Sequence, residues 1–468
     1  MSARTEWCWL AGLLLCTSAI AVPAAGESTS RLSDEPVPLR LDVVPDRPRP
    51  ILELGNDLLA TGPVHEGFTL PTLATWQPTL VVWGTYRTAL QVIDRDDLEF
   101  SEWANRLDLF ASLNLTSTER VLIGFRPLDE EGRFSGYTFS APEGEEGNEG
   151  SNNELNFEVT TLFAEGDIGE LLPILDWNDS AGLDIGFSVG RQDIQFQDGM
   201  LINDNIDAVG ATKINLRTGD VGNHRSTLLW GFGELNRANL PDEDDSATLF
   251  GFLNEIDWRW STVALDAIYV EGDEVTGDGF HGGISAVQRI GELNTTFRVL
   301  GSRANGEETD HNSDGLLLFG QFSKTPHGSE DFIYVNAFAG LDRFRSASRR
   351  PSAGGPLGPA GVLFEAVGLG RYGSALDSYA DDAIGGAIGK QRFFSDSRKQ
   401  VIFELAGRTT SEEVGQRALA AGVTYRAAHG QRTILRLDGF ALYGSSREND
   451  NTSEELGIGG RIEITCKL

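Results

Sequence analysis

The sequence predicts an all-β chain, an antiparallel transmembrane β-barrel of about 18 strands with short periplasmic turns and long acidic extracellular loops. Three observations carry this. Apolar residues recur at every second position almost without a break from Leu80 to Thr465, the period of a strand with one oily face. The connectors between these runs alternate between short and long. The composition, with 55 Gly, 25 Phe, 9 Trp and 8 Tyr against 2 Met, suits many strands and turns and few helices.

Residues 1–26 read as a signal peptide. Arg4 precedes an apolar run from Trp7 to Val22, and Ala24, Ala25 and Gly26 follow as small residues before a cleavage point. Cys8 and Cys16 fall inside it, so the mature chain keeps Cys466 alone and forms no internal disulfide, which argues against a stapled secreted domain. Beyond the signal no apolar run reaches the length of about 18 residues that a helical span needs. A membrane would therefore be crossed by strands closed into a barrel. Residues 27–78 are Pro-rich and weakly periodic, an irregular segment expected at the periplasmic side or in the lumen. The barrel is expected over 79–468.

One stretch shows the repeating unit. In Leu183 to Gly210, Leu183, Ile185, Phe187 and Val189 alternate with Asp184, Gly186, Ser188 and Gly190, a strand between oil and water. Asp198-Gly199 and Asn203-Asp204-Asn205 read as a polar connector, and Ile206 to Leu216 as the return strand. The same rhythm gives strands from Leu80 to Ile93, through Leu155 to Phe163 and Ala380 to Phe394, and on to Leu456 to Thr465. Short connectors (118–120, 259–261, 290–292, 395–399, 429–431) take turns with longer acidic ones (129–154, 236–246, 272–279, 304–314, 346–379, 447–453). An even strand count places both termini at one end. A secreted β-sandwich or propeller also needs many short strands, but has no reason to keep turns short at one rim and long at the other.

A net charge of -32 excludes nucleic acid as a partner. The six His (65, 224, 281, 311, 327, 429) are scattered, with neither HxxxH nor CxxC spacing, so neither a metal site nor His-based catalysis is expected. Acid clusters such as Asp242 to Asp245 lack EF-hand spacing and read as solvated loop. The expectation is no enzyme, no catalytic residue and no cofactor. Gly368-Leu369-Gly370-Arg371-Tyr372-Gly373 matches GxGxxG but opens no helix, and reads as a glycine-rich loop folded tightly over a pore mouth.

Taking the more apolar parity of each strand as lipid-facing turns Arg87, Arg106, Arg126, Arg298, Arg408, Arg426, Arg436 and Arg461 inward, with Asp108, Glu158, Glu404, Asp438 and Glu463. Pointing an Arg at lipid near the midplane would cost about 2 to 4 kcal/mol. A ring of guanidinium groups around a lumen would hold carboxylate or other anionic groups transiently. The same charges could instead neutralise one another in a rigid wall.

Val189-Gly190-Arg191-Gln192, with Asp198-Gly199, Leu201-Ile202, Asn205 and Gly210, resembles the alginate-export family of outer-membrane channels. The resemblance implies an 18-stranded barrel in the bacterial outer membrane that passes a hydrophilic, anionic carbohydrate such as an alginate-like polysaccharide, or a smaller solute. It adds Arg191 to the pore-lining set. Arg191 shares the parity of Val189, so a bulge near Gly190 or an exit from the bilayer is expected there. The implied partners are outer-membrane lipid, the anionic solute and the outer-membrane assembly machinery. A second reading keeps the barrel as a platform for an enzyme or adhesin.

Overall fold

The computed structural model describes residues 48–55, 66–95, 98–130, 133–142, 148–175, 182–216, 221–240, 243–395, 397–410, 416–448 and 451–468. The expected signal peptide, 1–26, lies outside the described residues, as does most of the expected Pro-rich segment. Its residues Leu52–Leu54 pair with the first barrel strand, extending the wall rather than filling the lumen.

The wall is a closed antiparallel barrel of 18 strands. In chain order they are β1 (Thr79–Arg95), β2 (Leu98–Asn114), β3 (Arg120–Phe125), β4 (Val159–Asp167), β5 (Ile185–Phe196) and β6 (Ile202–Lys213). Next come β7 (Asn223–Gly233), β8 (Thr248–Asp257), β9 (Ser261–Glu271), β10 (Gly279–Ile290), β11 (Leu293–Ala304) and β12 (Gly315–Lys324). The last six are β13 (Phe332–Asp342), β14 (Ala383–Phe394), β15 (Lys399–Thr410), β16 (Gln416–His429), β17 (Thr433–Glu448) and β18 (Asn451–Lys467). Each strand pairs with the next, and β18 pairs back onto β1 from Ile458↔Asp94 to Lys467↔Thr85. Closure leaves no sheet edge to seek a partner.

The alternation does what its period requires. On β8, Phe250 and Phe252 stand 47% and 52% exposed on the outer face, while Leu249 and Leu253, on either side of them, are buried inside. Their cross-strand partners on β7, Trp230 and Leu228, continue the apolar outer band. Apolar residues therefore sit on both faces here, because the inside is also filled.

Four expected boundaries differ. Asn203-Asp204-Asn205 lies within β6 instead of forming a connector. Asp204 is fully buried, and its carboxylate accepts from the backbone N–H of Asn205 and Asn236, from Asn236 Nδ2 and from the Ser348 hydroxyl, so the polar residues have partners in the wall. Leu155 to Glu158 precede β4, because the chain leaves the wall after Phe125. It forms a small hairpin, Asp129–Glu130 with Arg133–Phe134, and rejoins β2 at Gly136–Ser140. The run from Ala380 joins the wall only at Ala383. Residues 447–453 form no long loop, since β17 and β18 stay in register up to Glu448↔Asn451.

The interior holds the second hydrophobic core. Residues 343–382, between β13 and β14, fold into the lumen. There Phe344, Leu357, Leu363, Phe364 and Leu376 pack on Leu317, Phe319, Phe338, Ala387, Ala406, Ala420 and Leu442 of the inner wall. Small residues on β14 to β16 leave the room this segment occupies. Further on, Leu369 packs on Ala89, Ala104 and Phe134, and Tyr372 on Ile93 and Phe100. The segment's first leg is stitched to the wall: Asn203 N–H donates to Ser348 O (3.1 Å), and Arg350 N–H to Asn203 O (3.1 Å). Arg349 donates to the carbonyls of Gly199, Ala353, Gly354 and Gly355, and its burial pushes its pKa down to about 10.

The glycine-rich loop lies where tight folding was expected. Gly370 has φ +65°, and a Cβ there would come within 2.1 Å of Gln91 Nε2 and 2.3 Å of Glu102 Oε1. Gly370→Val should unseat this tip and expose 368–373 to limited proteolysis, with the barrel itself intact. Phe364→Ala removes a fully buried ring and should cost about 3 to 5 kcal/mol in denaturant unfolding of the folded barrel.

Candidate functional site: an arginine row in the lumen

Strand pairing places directly opposed residues on one face. Six adjacent strands bring arginines to one side of the lumen: Arg426 on β16, Arg436 on β17, Arg461 on β18, Arg87 on β1, Arg106 on β2, and Arg126 immediately after β3. Arg426 lies opposite Arg436, and Arg87 opposite Arg106. Like charges held so close would repel, and interleaved acids offset this.

Asp438 bridges Arg436 (Nε to Oδ2, 2.8 Å) and Arg461 (Nη2 to Oδ2, 2.7 Å). Glu463 takes Arg461 (Nη1, 3.1 Å) and Arg87 (Nε, 2.8 Å). Asp108 takes Arg106 (Nε, 2.9 Å) and Arg126 (Nε, 3.0 Å), and Asp129 takes Arg126 Nη1 at 3.0 Å. The centre of this chain is the most enclosed: the Arg461, Glu463 and Asp438 side chains are 0%, 4% and 9% exposed. Buried charges at such positions persist because each is paired. Arg426 has no ion-pair partner among the described residues, and its Nε meets no hydrogen-bond acceptor there.

The inward-folded segment faces this row with backbone carbonyls and one acid. Arg106 Nη1 donates to Gly368 O at 2.9 Å and Arg87 Nη2 to Val367 O at 3.0 Å. Glu365 approaches Arg436 Nη2 at 3.9 Å. Between them lies a narrow gap bounded by Val362, Glu365, Thr424, Arg436 and Asp438.

Of the sequence-derived set, Arg87, Arg106, Arg126, Arg426, Arg436, Asp438 and Arg461 come together here. Arg298, Glu404 and Arg408 also face inward but act as fasteners. Glu404 accepts from the N–H groups of Val362 (3.0 Å) and Leu363 (2.9 Å) and from the Tyr334 hydroxyl. Arg408 binds Asp377 at 2.6 Å, and Arg298 binds Asp198.

Two residues depart from the expectation. Glu158 is exposed in the stretch before β4, where the chain has left the wall, and its N–H bonds to Asn156 Oδ1. Arg191 lies on the outer face: it pairs in register with Asp207, on the parity of Val189, and its guanidinium binds Asp207 (3.0 Å) and Glu234 (2.7 Å). Register through Gly190 is unbroken on both sides, so no bulge redirects the side chain. Gly190, at φ +121°, is instead set by close approach, since a Cβ would come within 2.2 Å of Leu162 O. Parity alone was the better guide to Arg191. Glu365, by contrast, had no signal in strand periodicity, because it sits on an irregular segment.

No family model and no curated protein matches the chain. Solved structures do. The structure of OccK2 (OpdF) from Pseudomonas aeruginosa matches with a TM-score of 0.54 at 8% identity, covering 83% of this chain and 98% of that one. A BenF-like porin from Pseudomonas fluorescens Pf-5 gives 0.54 at 9% identity with the same coverage. OpdK from Pseudomonas aeruginosa, solved with vanillate, gives 0.50 at 12% identity, again covering 83% and 98%. These neighbours do not confirm the alginate-export resemblance. At such identities the likeness is one of fold, and it is to the closed 18-stranded antiparallel barrel of outer-membrane porins.

Proposed function

We propose that the chain is an outer-membrane channel through which small, hydrophilic anions diffuse passively. The observation that carries this is the arginine row, six guanidinium groups on or next to adjacent strands, with Arg436 lining a gap narrowed by residues 343–382 and Arg426 in no ion pair among the described residues. A static ion-pair network would give each arginine a carboxylate. Here Arg426 makes no ion pair among the described residues, with Glu365 and Asp438 acting on it only at longer range, and it stands opposite Arg436, which lines the gap. A passing anion exchanges water for guanidinium groups without reaching a fully neutralised wall. The vanillate in the OpdK structure is an anion of the size this reading favours. The apolar outer band rests against outer-membrane lipid. Export through residues 1–26 and insertion by the outer-membrane assembly machinery complete the reading.

Purified protein in planar bilayers should show discrete conductance steps with anion preference; a barrel that inserts but never conducts overturns the reading. A unit charge about 4 Å from a passing ion contributes about 1 kcal/mol in water. Arg426→Gln should therefore lower anion permeability roughly fivefold and the anion-to-cation permeability ratio by at least as much, read from reversal potentials across a salt gradient. The preference itself should shrink in about 1 M salt, where screening acts within about 3 Å.

A further inference from the structure

On the outer face of β14 to β17 the apolar band is dented. Register sets small residues side by side there, Gly386 opposite Gly407 and Ala421 opposite Ala441. Around this floor stand Leu405, Leu419 and Leu456, at 61%, 67% and 71% the most exposed large apolar side chains on the barrel strands among the described residues. Leu405 pairs with Ala421 and Leu419 with Gly407, so a tall side chain stands beside a small one on both strands. The result is an open trough of 690 Å³ lined mainly by apolar side chains, within the range of about 300 to 1,000 Å³ of small-molecule sites.

The trough does not end in carbon. Toward the rim that carries residues 343–382 it runs into a second depression of 590 Å³, which shares Gly407, Leu419 and Tyr443 with it and is bounded by Arg417. Arg417 lies at the start of β16, opposite Thr409 on β15 and Ser445 on β17. All three have the outer parity, so a cation flanked by two hydroxyls faces outward at one level. Arg417 is exposed and makes no ion pair among the described residues. The neighbouring acid, Glu454 opposite Ser445, is taken by the Tyr443 hydroxyl.

An apolar trough that meets a cation and hydroxyls at the end of the oily band has the polarity of one class of molecule, a flexible apolar chain with an anionic, oxygen-rich head. In hydrocarbon the trough draws no partner by excluding water, and what it offers is close contact along a chain that bends into it. At the edge of the band a guanidinium costs little, and its planar fork matches two oxygens of a phosphate. A second copy of the barrel would lay a sheet across the apolar part, and it is the adjoining cation that decides for a lipid. Resting on the membrane seat proposed above, we infer that this face of β14 to β17 binds one phosphate-headed lipid, with an acyl chain in the trough and the phosphate on Arg417 beside Thr409 and Ser445. The site is on the outer wall and takes no part in conduction.

The test is native mass spectrometry of the full-length protein in detergent, titrated with dimyristoyl phosphatidate, with dimyristoylglycerol and inorganic phosphate as controls lacking the head charge or the chains. One phosphatidate should be retained, and both controls should bind at least about tenfold more weakly, the scale of one lost charge-assisted hydrogen bond. Arg417→Gln should weaken phosphatidate by about tenfold. Ala421→Leu fills the trough without touching a charge and should weaken it to a similar degree. Arg303, exposed on the outer face of β11 opposite Phe280, belongs to no such trough, and Arg303→Gln should leave binding unchanged. Heat-modifiable mobility shows that each variant is a folded barrel, and single-channel conductance, which none of these changes should alter, lets the channel reading and the lipid site fail separately. The site is overturned if dimyristoylglycerol is retained as well as phosphatidate, if Arg417→Gln and Ala421→Leu both bind as wild type does, or if Arg303→Gln loses as much as Arg417→Gln. A lipid-free dimer of the wild type that Ala421→Leu turns into a monomer would give the face to a second copy and also refute it.

Discussion

The pairing of β18 with β1 is the constraint on which the rest of this structure depends. In a lipid phase a strand whose N–H and C=O groups lack partners is too costly to keep, so eighteen amphipathic strands persist there only as a ring. Closure fixes which residues share a side. It brings Arg461 of the last strand beside Gln91 of the first, and so joins the two halves of an arginine row drawn from opposite ends of the chain.

Once the wall is closed, its interior must be filled or watered, and this chain does both. The half of the lumen under residues 343–350 and the turn after β5 is packed with Leu, Ile, Phe and Met side chains. The half along β16 to β3 keeps its charged groups in pairs, Arg426 excepted among the described residues. The buried polar nodes at Asp204 and Glu404 hold the inward pieces in place. Asp204 accepts from the Ser348 hydroxyl of the inward segment and from Asn236 after β7, and Glu404 accepts from the N–H groups of Val362 and Leu363. Apolar packing supplies most of the attraction, and these directional bonds set the register in which it occurs.

How far the sequence reveals this differs by element. The strands were legible because period two is a local property, and the inward arginines followed from parity on strands such as β16, β17 and β18. Arg191 shows the limit of a short motif: parity put it outside, and the motif put it in the pore, and its ion pairs with Asp207 and Glu234 agree with parity. Glu404 and Arg408 were read as facing inward and do so. That they fasten a loop could not be seen, because their partners at Val362, Leu363 and Asp377 lie on a segment without periodicity. The same holds for Asp204, whose tripeptide looks like a turn until Ser348 and Asn236 are brought to it by the fold.

The inward segment also bears on the order of assembly. Its contacts reach β1 and β2, nearly 300 residues earlier in the chain, and β15 to β18, which follow it: Gln91 Nε2 donates to Leu369 O, and Arg87 Nη2 to Val367 O, across sequence separations of 278 and 280 residues. No such contact can form until the first and last strands stand on the same ring. Loop-closure entropy therefore delays the lumenal core until the wall is complete. The segment then acts as a lock: it adds bonds between both ends of the chain that exist only in the closed ring, and so raises the barrier to reopening the β18–β1 seam.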